Sequence, residues 1–176
     1  HREVARSSLL WHPVGTAMGM FTDRAPPYVN SRSVHVPYAT SPAERAQLRR
    51  KLEAAGIQVG CGGTITYYKD TDADVEKYFA YAKNAGMPTI VCTMEHSILP
   101  RGEKFAKQYD IKVAIHNHGP EDKHFPSPYD VLKAVKGMDS RMGLCMDIGH
   151  ATRAGANIVQ AALDAGPRLH DLHIKD

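Results

Sequence analysis

A cysteine framework is the first thing this sequence lacks. Its three cysteines, Cys61, Cys92 and Cys145, are odd in number and form no Cys-x-x-Cys pair. Each lies in an apolar run, where a reduced, buried thiol is the expected state. That fits a reducing compartment, and a cytoplasmic location is expected. Long apolar runs are also missing. Nowhere do about 18 apolar residues follow one another, the length that a membrane-crossing helix needs, so no membrane span is expected. Charge of one sign is scarce as an excess: 22 Lys and Arg stand against 19 Asp and Glu, too small a surplus to argue for nucleic acid as a partner. Gly60-Cys-Gly-Gly63 is not a phosphate loop, because no helix start with Lys-Ser/Thr follows it. The chain opens on His1 rather than Met, as a processed or truncated chain would, which leaves room for a removed targeting segment.

What is present reads as one globular domain. Apolar residues make up 43% and charged residues 23% of 176 positions, enough for a real core. Residues 1–32 carry little pattern, and Ala25-Pro-Pro-Tyr28 is a breaker. From Ser33 to Asp176 the chain is regular. Strands are expected at 33–38, 57–61, 88–94, 111–118, 142–147 and 169–175. Helices lie between them, starting at Ser41-Pro42, Asp72, about Arg101, Ser127-Pro128 and about Asn157, with stops at Gly56, Gly86, near Gly137 and at Gly166. About six strands alternating with helices are the pattern of an α/β fold with a parallel sheet. In such sheets the ligand site lies at the C-terminal ends of the strands.

Three of the apolar runs end in chemistry. Met142–Asp147, Val113–His118 and Leu172–Asp176 deliver a carboxylate, imidazoles and a lysine to the expected site, and ten histidines are the most informative count in the composition. Asp147 should not end a buried strand without a partner. Together with His173 it is read as a divalent-metal pair. His116 and His118, two apart on one strand, compete for the third ligand. His118, nearer the mouth, is preferred, which leaves His116 to the substrate or the chemistry. Glu121 is a candidate oxygen ligand in the following loop. His150 is expected in a glycine-containing turn, binding substrate or moving protons. Arg153 could meet an anionic substrate group, Lys175 could stabilise an enolate, and Glu95-His96 ends another strand on the same side.

Ile-His-Asn-His-Gly (115–119), Met-Asp-Ile-Gly-His (146–150) followed by Ala-Thr-Arg-Ala-Gly (151–155), and His-Ile-Lys-Asp (173–176) together resemble the xylose isomerase-like barrel superfamily. The nearest branch looks like the sugar phosphate isomerase/epimerase-type proteins. Inosose dehydratases, ketose 3-epimerases and endonuclease IV belong to the same superfamily. The resemblance implies a (β/α)8 TIM-type barrel, here incomplete, over 33–176. It also implies a divalent metal (Mn, Co, Mg or Zn) held by a Glu, an Asp, a His and a second Glu from successive strand ends. Asp147 matches the metal Asp, His150 the substrate-side His and His173 the metal His. Where many epimerases carry Glu on the fifth strand, this chain has His116 and His118, and no residue matches the last Glu. The expected function is a metal-dependent isomerase or epimerase acting on a sugar or sugar phosphate through an enediolate. A dehydratase or lyase, an endonuclease IV-like nuclease and a non-catalytic remnant are the alternatives, and a homo-oligomer is compatible with any of them.

Overall fold

A computed structural model describes the backbone of residues 28–30 and all of residues 41–174. The strand expected at 33–38, and Lys175, lie outside the described residues. In chain order the elements are β1 (Tyr28–Asn30), α1 (Pro42–Ala54), β2 (Gln58–Cys61), β3 (Thr64–Thr66), α2 (Asp72–Ala85), β4 (Thr89–Thr93), α3 (Leu99–Tyr109) and β5 (Lys112–His116). They continue with α4 (Pro128–Val135), β6 (Met142–Asp147), α5 (Ile148–Arg153), α6 (Ile158–Ala165) and β7 (Leu169–His173). β1 forms inside the stretch that the sequence leaves without pattern, and β3 has no counterpart among the expected strands. At three residues each, both are too short to show a period.

β1 and β2 pair in parallel, and β3-β4-β5-β6-β7 form a second parallel sheet whose spatial order is its chain order. Sequential parallel strands with helices between them are an arc of a (β/α) barrel. Period-two alternation gives each face its own content. Ile90, Cys92, Val113, Ile115, Met142, Leu144 and Met146 point into the main core under the helices, against Phe79, Phe105 and Val131. Val91, Ala114 and Cys145, with Cys61 of β2, form a separate small cluster on the opposite, inner face. Small residues there leave room for polar groups at the strand ends.

The helix ends follow local chemistry. Ser41 and Glu44 form a capping box on α1, and Ser127 and Asp130 form another on α4. Thr71, not Asp72, caps α2 by accepting from the Asp74 N–H; its β-region backbone suits the cap, and Asp72 begins the helix. Asp72 instead anchors α3, receiving Arg101 and Lys104, while Arg101 also reaches Asp70 at 2.6 Å. Asp110 ends α3 in the left-handed region at φ 53°, which Asp tolerates better than most residues. Arg168 ties the entry of β6 to β7: its guanidinium donates to the carbonyls of Met138, Asp139 and Met142 at 2.8, 3.1 and 2.5 Å. The chains come so close here that position 143 must be glycine, since a Cβ would lie 2.4 Å from the Arg168 carbonyl oxygen.

The packing makes a direct prediction. Phe79 is fully buried and stacks at 5.9 Å on Phe105, so Phe79→Ala should cost about 3–5 kcal/mol. Leu163 is 70% exposed on α6, and Leu163→Ala should stay within about 0.5 kcal/mol. Urea midpoints of the two variants check the contrast.

Candidate metal and substrate site

The site is built on the ends of β5, β6 and β7. The register sets His116 beside Cys145 and Asp147 beside His173, so alternation turns His116, Asp147 and His173 to the inner face. His116 Nε2 lies 3.2 Å from Asp147 Oδ2, and His173 Nδ1 lies 3.9 Å from the same oxygen. All three side chains are buried, Asp147 to 1% exposure. One ligand atom from each falls within 4.8 Å of the others, and the 3.2 and 3.9 Å separations from Asp147 Oδ2 are within the reach of donors about 2.0–2.2 Å from a shared ion. His116 Nδ1 has no hydrogen-bond partner among the described residues. Two imidazoles and a carboxylate, buried and convergent, are a donor set that fits a divalent transition metal.

Asp147 is held from several sides. Its other oxygen, Oδ1, accepts from the His150 N–H at 2.9 Å and so caps α5. The Asn117 amide clamps its backbone, accepting from the Asp147 N–H at 2.9 Å and donating to the Asp147 carbonyl at 3.1 Å. Asn117 is fully buried. It is absent from the residues expected at the site, although an Asn between two flagged histidines at the end of a buried strand was the available signal.

His118 does not join the three. β5 ends at His116 and Asn117 turns inward to its clamp, so the period-two alternation that would carry His118 to the inner face stops there, and His118 is exposed. Its ring faces His150 at 4.6 Å, and His116 lies 5.6 Å away. His118 stands at the mouth, as expected, but it is His116, not the preferred His118, that lies beside the carboxylate. Glu121 is likewise outside the cluster: its carboxylate receives Arg153 at 2.5 Å, which holds it below the usual carboxylate range. The same Nη2 lies 2.6 Å from His150 Nδ1. The expected turn around His150 is in fact helix α5, started by the Asp147 cap. Gly119, at φ 94°, closes this corner, because a Cβ there would sit 2.5 Å from Arg153 Nη2. Glu95 is exposed, while His96 lies over the next loop, its Nε2 3.2 Å from the His124 carbonyl oxygen and its ring 4.6 Å from Phe125. Deeper on the inner face, burial pushes the Asp171 carboxyl up to about 6 and the Cys61 thiol up to about 12.

Fold and site together are an arc of a (β/α) barrel with a His–Asp–His cluster at the C-terminal strand ends. Residues 101–176 match the family described as xylose isomerase-like TIM barrel. Among solved structures the chain is similar to an uncharacterized protein from Parabacteroides distasonis, with 34% identity and TM-score 0.62, covering 76% of this chain and 52% of that one. It is also similar to a D-tagatose 3-epimerase-like protein (17% identity, TM-score 0.57, 77% and 62% covered). Endonuclease IV from Thermus thermophilus follows (17% identity, TM-score 0.52, 81% and 60% covered). The last two likenesses establish the fold alone. The chain spans between about half and three fifths of the length of these relatives. No curated protein matches it. No helix among the described residues is long and apolar enough to cross a membrane.

The Asn117 clamp carries a prediction. Asn117→Ala would leave the buried Asp147 N–H and carbonyl without these bonds, a loss of about 2–4 kcal/mol. Urea denaturation measures it; an unchanged midpoint would mean that the clamp is dispensable.

Proposed function

We propose that this chain carries the metal-binding half of a divalent-metal-dependent sugar or sugar phosphate isomerase or epimerase. One observation carries the reading: a buried carboxylate shared by two imidazoles at the strand ends, directly beneath an imidazole pair and a guanidinium at the mouth. His116, Asp147 and His173 are the residues that would hold the metal. When bound, the ion would supply positive charge against a developing enediolate.

The remaining residues handle protons and position. Arg153 is always protonated, so at 2.6 Å it requires a lone pair on His150 Nδ1. The His150 proton then sits on Nε2, which can donate it to a substrate oxygen. His118, exposed at 4.6 Å from that ring, is placed to take a proton from carbon. His96 borders the same end of the sheet and offers a polar wall to a hydroxyl-rich ligand. Glu121 offsets the charge of Arg153, so a substrate phosphate would have to displace it or add a further contact. Lys175 stays a candidate for the enolate oxygen.

The described cluster contains no glutamate pair, and this favours a lyase as the second reading: the same enolate forms and a β-hydroxyl leaves. Proton exchange with solvent tests both. Incubated in D2O with Mn2+ and a panel of ketoses, inososes and sugar phosphates, the protein should incorporate deuterium next to a carbonyl. His150→Gln should lower the rate by about 10²–10⁴. Loss of water from the labelled substrate would assign the lyase. Exchange with no substrate, alongside cleavage of abasic DNA, would overturn the proposal in favour of a nuclease.

A further inference from the structure

The inner face one layer below the His116–Asp147–His173 group holds donors that the proposed reaction does not use. Cys61 comes from β2, Cys145 from β6 and Asp171 from β7. Both thiol sulfurs approach the same oxygen, Asp171 Oδ2, at 3.8 Å for Cys61 and 4.0 Å for Cys145. His173, two residues beyond Asp171 on the same face of β7, brings a ring nitrogen into this group as well. Cys145, Asp171 and His173 each offer a ligand atom within 4.8 Å of the others. Cys61, Cys145 and His173 are buried, at 6%, 0% and 5% exposure.

Packing does not account for this arrangement. The neighbouring inner positions are Val91 and Ala114, and an apolar residue at 171 would fill the same space without desolvating a carboxylate. Thiols are weak donors, and at these distances they satisfy a carboxylate poorly. The distances do suit an ion. With metal–sulfur bonds of about 2.3 Å and metal–oxygen bonds of about 2.0–2.2 Å, a tetrahedral ion sets S···O near about 3.5 Å. The two S···O separations lie within about half an ångström of that; Cys145, Asp171 and His173 already converge, and the Cys61 side chain, outside that three-residue group, would have to rotate to join them. Two sulfurs, one nitrogen and one oxygen are a soft-to-borderline donor set, unlike the nitrogen- and oxygen-only group above it.

We propose that Cys61, Cys145, Asp171 and His173 form a second cation site, selective for thiophilic divalent ions of the Zn2+ and Co2+ class. Binding would release the two thiol protons to solvent and form two metal–thiolate bonds. The two groups share His173, so loading the lower site competes for the imidazole that the upper group uses. Thiophilic ions and harder ions such as Mn2+ are thereby sorted to different layers of one inner face.

The test is spectroscopic and needs no substrate. Co2+ titrated into the protein should produce a thiolate-to-cobalt charge-transfer band in the near ultraviolet. His116→Gln, which alters the upper group alone, should keep that band. Cys61→Ser and Cys145→Ser should each weaken the binding that gives it by at least about tenfold. X-ray absorption of the Zn2+-loaded wild-type protein reads the same shell without any variant and should show sulfur scatterers at about 2.3 Å. Cobalt or zinc bound through nitrogen and oxygen only would overturn the proposal, as would a charge-transfer band that both serine variants retain.

Discussion

A carboxylate withdrawn almost completely from water, with an imidazole on each side, is the constraint around which this fold is arranged. Burying Asp147 is costly unless its oxygens and its backbone are provided for. Oδ1 caps α5 through the His150 N–H, Oδ2 faces His116 and His173, and Asn117 holds the peptide on both sides. The cap fixes where α5 begins and hence where His150 and Arg153 stand. The clamp from Asn117 fixes β5 against β6 at the same level. One residue thus orients a candidate ion-binding edge and the imidazole pair above it.

The sheet supplies the rest of the arrangement. Parallel pairing puts the C-terminal ends of β4 to β7 on one side, and alternation divides each strand between a large apolar core and a narrow inner face. The inner residues are small or polar, which suits a barrel interior that opens towards a ligand. The loops after β5 and β6 are stapled together by Arg153 through Glu121 and His150. The mouth is therefore imidazole-rich, with the Arg153 charge offset by Glu121.

Much of this was legible in the sequence because the signals are local. Apolar runs of about five or six residues between helix caps marked β4, β5 and β6, the helix stop at Gly166 marked the entry to β7, and Ser41-Pro42-x-Glu44 and Ser127-Pro128 gave the starts of α1 and α4. Asp147 and His173 stood out as polar residues ending buried runs, and the structure sets their facing atoms 3.9 Å apart. The rest depended on contacts distant in sequence. That His116 and not His118 turns to Asp147 follows from where β5 stops pairing, and it stops because Asn117 bonds to residue 147, thirty positions away. Glu121 has the look of an oxygen ligand in the sequence, but in the fold Arg153 engages it. Helix α5 was hidden because its cap is the same aspartate that ends β6. Cys61, Cys145 and Asp171 each read as ordinary alone, and only the pairing of β6 with β7 and the position of β2 bring them together.

The central claim is that His116, Asp147 and His173 converge on one divalent ion. Anomalous diffraction from crystals soaked in Mn2+ tests it most directly. The account predicts a manganese peak about 2.0–2.3 Å from a ring nitrogen of His116, a ring nitrogen of His173 and a carboxylate oxygen of Asp147. A fully soaked crystal with no peak there, or with its peak on other residues while these three side chains keep their positions, would contradict it.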